Sequence, residues 1–140
     1  MAELRYQKAI GRALEDAMTA DPTVILFGED VAEAGGSFGA TKGLREKFGA
    51  ARVFDTPISE AALAGAAVGA AVSGLKPVLE IMFMDFTTLV MDALVNQAAK
   101  ARFMFGGRCA VPLVLRTPHG GGLGAGPQHS QCLEAWFAHV

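Results

Sequence analysis

Residues 53–74, VFDTPISEAALAGAAVGAAVSG, place a single acid where it could do chemistry. A short apolar run meets a break at Pro57, and a helix is expected to begin at Ser59. Glu60 stands in the first turn of that helix, and the remaining helical residues carry no charge. A lone carboxyl at the entrance of so apolar a helix could exchange a proton with a bound cofactor, so Glu60 is a candidate catalytic residue. An ordinary first-turn acid, favoured by the helix dipole, is the alternative.

Two further acids, Glu29 and Asp30, closely follow the apolar run TVILF. Such a continuous run is typical of a buried parallel strand, and open α/β sheets bind ligands at the carboxyl ends of their strands. The two acids are therefore a second candidate for a functional role. Solvated loop acids or helix caps would give the same pattern.

Apolar periodicity predicts strands that alternate with helices. The expected strands are 23–27, 53–55, 77–83 and 111–115, and the expected helices are 4–19, 44–48, 59–74 and 87–103, with a further helical start in 132–139. This alternation predicts an α/β fold of three layers, in which a mostly parallel sheet has helices on both faces. A chain of 140 residues has room for one domain.

Composition and charge argue against several functional classes. A net charge of −2 and a pI near 5.9 give no electrostatic basis for binding nucleic acid or an anionic membrane. The most apolar run, residues 61–75, is shorter than the ~20 residues that span a bilayer. Cys109 and Cys132 lack both the spacing of a metal motif and the density of a secreted disulfide scaffold, so a reduced, cytoplasmic protein is expected.

Two glycine-rich loops could be taken for nucleotide-binding motifs. Residues 34–42, AGGSFGATK, lack the spacing of a phosphate-binding loop. Residues 120–125 satisfy a relaxed dinucleotide fingerprint, but Pro127 and a polar segment follow where a helix should begin. The acid expected about 20 residues further on is also absent. The dinucleotide interpretation is therefore weak.

A series of short motifs gives the chain a family resemblance: FGEDV, FDTPISE, EIMFMDF, NQAAK, MFGG, VPLVLRTP and GPQHSQ occur in this order. The chain resembles the beta subunit of thiamine-diphosphate-dependent 2-oxo acid dehydrogenases of the pyruvate, acetoin and branched-chain types. The resemblance covers residues 4–140 and implies that 1–140 form most of a transketolase-like pyrimidine-binding domain. The remainder of that domain and the family's C-terminal domain are expected to be missing from this sequence.

The resemblance implies that Glu60 contacts the pyrimidine ring of thiamine diphosphate. An acid that shares a proton with a ring nitrogen favours the tautomer that activates the cofactor. Sharing a proton requires a carboxyl that is readily neutral, whereas the helix dipole favours the anion by about 0.3–1 kcal/mol. Full burial raises the pKa of a carboxyl, and this effect is larger than that of the helix dipole. Glu60 must therefore be buried away from water to play this role.

Further cofactor contacts are implied around that acid: Glu29, Ile58, Ser59, Met82 and Phe86. An aromatic face and a thioether suit a flat ring, although core packing would explain Met82 equally well. His129, in the QHSQ segment, is implied as a second catalytic residue that transfers protons at the mouth of the site. A solvated loop histidine is the alternative, and His119 and His139 are given no role.

The resemblance assigns the remaining cofactor groups to a partner. The diphosphate and its Mg²⁺ are held mainly by the alpha subunit in this family, so no metal ligands are expected here. In some members a backbone carbonyl near Leu113 contributes to a monovalent cation site, whose other ligands would lie beyond Val140. The implied partners are the alpha subunit in a heterotetramer, the lipoyl domain of the acyltransferase component and a small 2-oxo acid. No nucleic acid or membrane partner is expected.

The implied reaction is oxidative decarboxylation of a 2-oxo acid, with pyruvate the expected substrate, followed by acyl transfer to lipoamide. The motifs EIMFMDF and ARFMFGG favour the pyruvate or acetoin branch. Two alternatives stay open: a catalytically inactive chain that binds an alpha subunit, and a transketolase-like relative with another acceptor. Gly65 and Gly69 form a GxxxG pair that predicts close packing of the Glu60 helix, with a subunit contact as its expected use.

Overall fold

The computed structural model describes residues 3–140, which are organised around one four-stranded sheet. Its strands are β1 (Val24–Gly28), β2 (Val53–Asp55), β3 (Lys76–Glu80) and β4 (Val114–Arg116). All pairings are parallel, in the spatial order β2-β1-β3-β4. The strand order therefore reverses beside β1, and every residue of that central strand is buried.

Helical segments connect the strands. The α-helices are α1 (Tyr6–Ala20), α2 (Leu44–Phe48), α3 (Glu60–Val72), α4 (Ala99–Met104) and α5 (Glu134–Ala138). Tighter 3₁₀ segments occur at Ser37–Gly39, Met84–Val90 and Gly121–Leu123, and a π-helical segment, Asp92–Ala98, precedes α4. Within residues 3–140, none of these helices is both long enough and apolar enough to pass through a bilayer.

Two hydrophobic clusters lie on opposite faces of the sheet. The first joins α3 to one face and contains Ile25, Phe27, Leu63, Ala64, Ala67, Leu79 and Ile81. The second joins α1 to the other face and contains Leu14, Met18, Val24, Leu26, Val53 and Val78. Successive residues of β1 belong alternately to the two clusters, as strand geometry requires. The predicted three-layer α/β fold, with helices on both faces of a parallel sheet, is confirmed.

The third strand is shorter than predicted, ending at Glu80 rather than at Phe83. Beyond it the chain enters the 3₁₀ segment that begins at Met84. Thr87 Oγ1 donates a hydrogen bond to the Met84 carbonyl oxygen at 2.6 Å, which closes the turn locally instead of extending the sheet. The long helix predicted over 87–103 is correspondingly divided into 3₁₀, π and α segments.

The fourth strand begins later than predicted, at Val114 rather than at Val111. Pro112 has no N–H to donate to a neighbouring strand, which delays pairing. The Leu113 N–H donates to the Val111 carbonyl oxygen at 2.8 Å, so the backbone is bent just before β4. The proline inside the predicted strand was the sequence signal for this difference.

Gly65 and Gly69 form an open stripe on α3. A Cβ atom at either position would meet nothing within 4 Å. The close packing predicted for this pair is thus not made within residues 3–140. A contact with another chain stays a prediction.

We expect Gly65→Ala and Gly69→Ala each to raise the free energy of unfolding by about 0.5–1 kcal/mol, because alanine has the higher helix propensity and the added methyl group has room. Urea unfolding followed by circular dichroism measures this change. Gly11→Ala is the matched control, since it also lies in a helix but its Cβ would stand 2.7 Å from the Ala40 carbonyl oxygen. That variant should be destabilised. Loss of stability at Gly65 or Gly69 would contradict an open stripe.

Candidate active site

The carboxyl ends of the four parallel strands meet at one edge of the sheet, and the predicted site residues follow those ends. Glu29 comes directly after β1, and Glu60 follows β2 across a short turn. Met82 and Phe86 follow β3, and His129 lies in the long segment after β4. The fold therefore brings residues from four separate parts of the sequence to the same edge.

Glu29 and Glu60 form a buried carboxyl pair at this edge, with side chains that are 5% and 8% exposed. Glu60 is the first residue of α3, and the side chain of Ser59 before it makes no capping hydrogen bond. The Thr56 N–H donates to the Gly28 carbonyl oxygen at 3.0 Å, which holds the turn after β2 against the end of β1. Glu60 is thus buried among the described residues, which is the condition that its expected role requires.

Burial raises the pKa of Glu29 above its ordinary value, and the negative charge of Glu60 raises it further. A backbone interaction with Ser59 opposes these effects without cancelling them. Glu29 Oε1 is buried and has no hydrogen-bond partner within residues 3–140. A proton on the carboxyl would remove its buried charge, and a ligand that donates to this oxygen would satisfy its hydrogen bonding.

His129 is held in an aromatic cluster with Phe83 and Phe86. Its ring centroid lies 5.1 Å from that of Phe83 and 5.2 Å from that of Phe86, with each pair of rings close to perpendicular. The two phenylalanines also meet edge to face, at 6.2 Å. Edge-to-face packing fixes the plane of the imidazole. The sequence had indicated Phe86 and His129 separately, and it gave no role to Phe83.

Asp85 holds the QHSQ segment in place through hydrogen bonds. Gln131 donates to Asp85 Oδ1 through its side-chain Nε2 at 2.8 Å and through its backbone N–H at 3.3 Å. Burial alone would raise the pKa of Asp85, but these hydrogen bonds, with further ones from backbone N–H groups, outweigh it and hold the pKa below its ordinary value. Asp85 was not among the residues predicted from the sequence, where its one signal is an acid inside the apolar motif EIMFMDF.

Glu80 and Arg116 form an ion pair at the ends of β3 and β4, where they are opposite each other in register. The Glu80 side chain is 1% exposed, and its Oε1 also accepts a hydrogen bond from the Ser37 N–H at 3.3 Å. Gly36 packs against the same oxygen, since a Cβ there would lie 3.4 Å from it. Glu80 and Arg116 therefore connect the glycine-rich loop after β1 to the ends of β3 and β4.

The other predicted cofactor contacts differ in burial. Ile58 is 79% exposed, Ser59 is exposed, and Met82 is half-buried. Within residues 3–140, no side-chain hydrogen bond or ring contact joins the Glu29–Glu60 pair to the cluster around His129. The site thus has two halves, one built on β1 and α3 and the other on the segments after β3 and β4.

A cavity of about 200 Å³ lies beside the second half of the site. It is lined by Phe38, Phe83, Pro118, His119, Gly120, Gly122 and Leu123. Phe83 belongs both to this cavity and to the His129 cluster. A small apolar group could therefore approach the His129 cluster through the glycine-rich loop.

We expect Glu29→Gln to make the free energy of unfolding less dependent on pH. Because the folded-state pKa of Glu29 is raised, its contribution is fully present below the ordinary value of 4.5 and is lost as the pH rises through the folded-state pKa. Urea midpoints between about pH 4 and about pH 8 should therefore fall more steeply for the wild type than for the variant. Glu33→Gln, an exposed acid of the same segment, is the control and should leave the slope unchanged. Equal slopes for wild type and Glu29→Gln would contradict the assignment.

Comparison with known proteins identifies the family of this chain. The family described as transketolase, pyrimidine binding domain, matches residues 2–140. A solved structure described as a split gene transketolase, inactive beta4 tetramer, superposes with a TM-score of 0.56 over 89% of this chain and 35% of that chain, at 20% identity. That likeness supports the fold alone.

The relatives by sequence are subunits of larger enzymes. Pyruvate dehydrogenase E1 component subunit beta-2, mitochondrial, of Oryza sativa subsp. japonica is 48% identical over 99% of this chain. Acetoin:2,6-dichlorophenolindophenol oxidoreductase subunit beta of Cupriavidus necator is 45% identical, also over 99%. The chain spans 37% and 44% of the lengths of these two proteins. Fold, family match and relatives agree, and the chain belongs to the transketolase pyrimidine-binding domain family.

Proposed function

We propose that this chain supplies the pyrimidine-binding side of the thiamine diphosphate site in a 2-oxo acid dehydrogenase. The observation that carries the proposal is the pair of buried carboxyls, Glu29 and Glu60, at the carboxyl edge of the sheet. The pyruvate and acetoin enzymes named among the relatives support this class of reaction. The chain then acts as one pyrimidine-binding domain of that enzyme.

The residues present fit the pyrimidine end of thiamine diphosphate. The unpartnered, buried Oε1 of Glu29 calls for a proton or a donor from a ligand. The buried carboxyl of Glu60 would hold a ring nitrogen and share a proton with it. Apolar groups and backbone at the same edge would border the flat ring: Ile58, Ser59, Met82 and Phe86.

The two carboxyls have different tasks in this proposal. Because burial and the charge of Glu60 raise the pKa of Glu29, Glu29 takes up a proton more readily than an ordinary glutamate. A neutral Glu29 leaves the pair with a single negative charge, on Glu60. The Glu60 carboxylate would then accept a hydrogen bond from a ring nitrogen that carries a proton. When bound, thiamine diphosphate supplies the carbon nucleophile that attacks the carbonyl of a 2-oxo acid.

His129 serves the other half of the site. Histidine is a common proton-transfer residue, and the ring of His129 is oriented by Phe83 and Phe86. We assign it proton transfer at the mouth of the site during acyl transfer to a lipoyl group. The glycines of the loop over residues 120–126 leave room for a long, flexible arm to approach.

The proposed assembly includes an alpha subunit that holds the diphosphate and Mg²⁺, in a heterotetramer, and a lipoyl domain that accepts the acyl group. The proposed substrate is pyruvate. The open stripe at Gly65 and Gly69 offers a surface on α3 that another subunit could approach closely. This surface lies on the exposed face of the same helix whose buried face carries Glu60.

We expect Glu60→Gln to lower 2-oxo-acid-dependent dye reduction by about 10²–10⁴-fold, the usual contribution of a general acid–base group. The assay uses the chain in complex with a 2-oxo acid dehydrogenase alpha subunit, with thiamine diphosphate, Mg²⁺ and pyruvate. Glu33→Gln is the matched control and should keep the wild-type rate. A Glu60→Gln rate near that of wild type would contradict the role of Glu60. A stable wild-type complex without turnover would instead favour the inactive alpha-binding alternative.

We expect His129→Phe to slow acyl transfer to lipoamide more than dye-coupled decarboxylation, because phenylalanine keeps the ring packing but cannot carry a proton. Rates with the two acceptors are compared on the same complex. His139→Phe, at an exposed histidine outside the cluster, is the control. A similar loss with both acceptors would remove the proposed role in acyl transfer.

A further inference from the structure

Three side chains with different ligand atoms converge at the base of the glycine-rich loop after β4. His119 Nδ1 lies 3.2 Å from Cys132 Sγ and 3.2 Å from Glu134 Oε1. The three ligand atoms all lie within 4.8 Å of one another. All three residues are exposed, so an ion could reach them from solvent without any opening of the core.

The spacing of these atoms matches what a small tetrahedral ion requires. Zinc bonds of about 2.0–2.3 Å to nitrogen, oxygen and sulfur place neighbouring ligand atoms about 3.4–3.6 Å apart. The two separations from His119 Nδ1, 3.2 Å each, are close to this value, and the third is within 4.8 Å, so binding requires side-chain adjustment and no rearrangement of the backbone. One imidazole, one thiolate and one carboxylate form a mixed donor set that suits Zn²⁺, whereas Ca²⁺ and Mg²⁺ prefer oxygen ligands alone.

The backbone around the cluster holds its members in place. The Gly120 N–H donates to the Gln131 carbonyl oxygen at 3.3 Å, which joins the neighbour of His119 to the neighbour of Cys132. The Leu133 N–H, between Cys132 and Glu134 in sequence, contacts Met84 Sδ at 3.0 Å. The cluster is therefore held in place by contacts outside its own side chains.

We propose that His119, Cys132 and Glu134 bind one zinc-like divalent ion, with the fourth position open to water. Cys132 loses its thiol proton to solvent on binding, and His119 binds as neutral imidazole through Nδ1. The ion would link the glycine-rich loop to α5. This site is separate from the Glu29–Glu60 pair and does not depend on the proposed function.

No metal ligands were expected from the sequence, because the family resemblance assigns the metal to the alpha subunit and because Cys109 and Cys132 lack the spacing of a metal motif. His119 and Cys132 are 13 positions apart with a glycine-rich loop between them, unlike the short repeats of zinc motifs. The fold brings them together because the loop returns to its starting point through the Gly120–Gln131 hydrogen bond. The cluster is thus a product of tertiary structure.

The test is a titration of the untagged, phosphine-reduced chain with Zn²⁺, using competition against a chromophoric chelator, and with Co²⁺ as an optical probe. We expect one ion per chain and a thiolate-to-cobalt charge-transfer band. His119→Ala, Cys132→Ser and Glu134→Gln should each weaken Zn²⁺ affinity by at least about tenfold, since even indirect partners of a metal site cost 10–100-fold.

Cys109→Ser and His139→Ala are the matched controls, because they remove the other cysteine and an exposed histidine outside the cluster. Both should bind Zn²⁺ like the wild type. Circular dichroism confirms that each variant is folded, and the near-isosteric Glu134→Gln keeps the test valid if a larger change disturbs the loop. Wild-type affinity no tighter than that of Cys132→Ser, or a cobalt spectrum without a thiolate band, would overturn the proposal.

Discussion

The buried ion pair between Glu80 and Arg116 is the interaction on which the carboxyl edge of the sheet depends. It joins β3 to β4 where both strands end, and it accepts the Ser37 N–H from the loop after β1. Removing one partner of such a pair typically costs about 3–5 kcal/mol, because the other charge is left buried and uncompensated. Gly28 allows the close approach on the other side of β3, since a Cβ there would lie 2.4 Å from the Glu80 carbonyl oxygen. The two halves of the candidate site lie on either side of this ion pair.

Each half of the site has its own support. Asp55 at the end of β2 accepts hydrogen bonds from the Ala32 and Glu33 N–H groups at 2.7 and 3.1 Å, which fixes the chain that follows Glu29. On the other side, Gln131 is fastened to Asp85. In both places a carboxylate accepts hydrogen bonds from backbone N–H groups. In both places it fixes a loop that is rich in glycine or other small residues. The rigidity of the site therefore comes from the acids around it.

The fold could be predicted from the sequence because its signal is local. Continuous apolar runs gave the strands, and helical periodicity gave the helices that cover them. Burial of Glu60 was a condition of its expected role and could not be predicted from the local sequence, which fits an ordinary first-turn acid equally well. Contacts between distant residues could not be predicted in this way: Asp85 and Gln131 are 46 positions apart, and nothing in either local sequence indicates the other. The divided helix after β3 was missed for a related reason, since its 3₁₀ and π turns depend on side-chain hydrogen bonds and packing as much as on periodicity.

The open stripe on α3 leaves one face of this helix available to another chain. Within residues 3–140, the helix packs in the core through Leu63, Ala64 and Ala67, on the face that also buries Glu60. Gly69 lies about 14 Å from Glu60 along the axis, at 1.5 Å per residue. The helix therefore separates two tasks: its core face sets the position of the acid, and its glycine face leaves room for a neighbour.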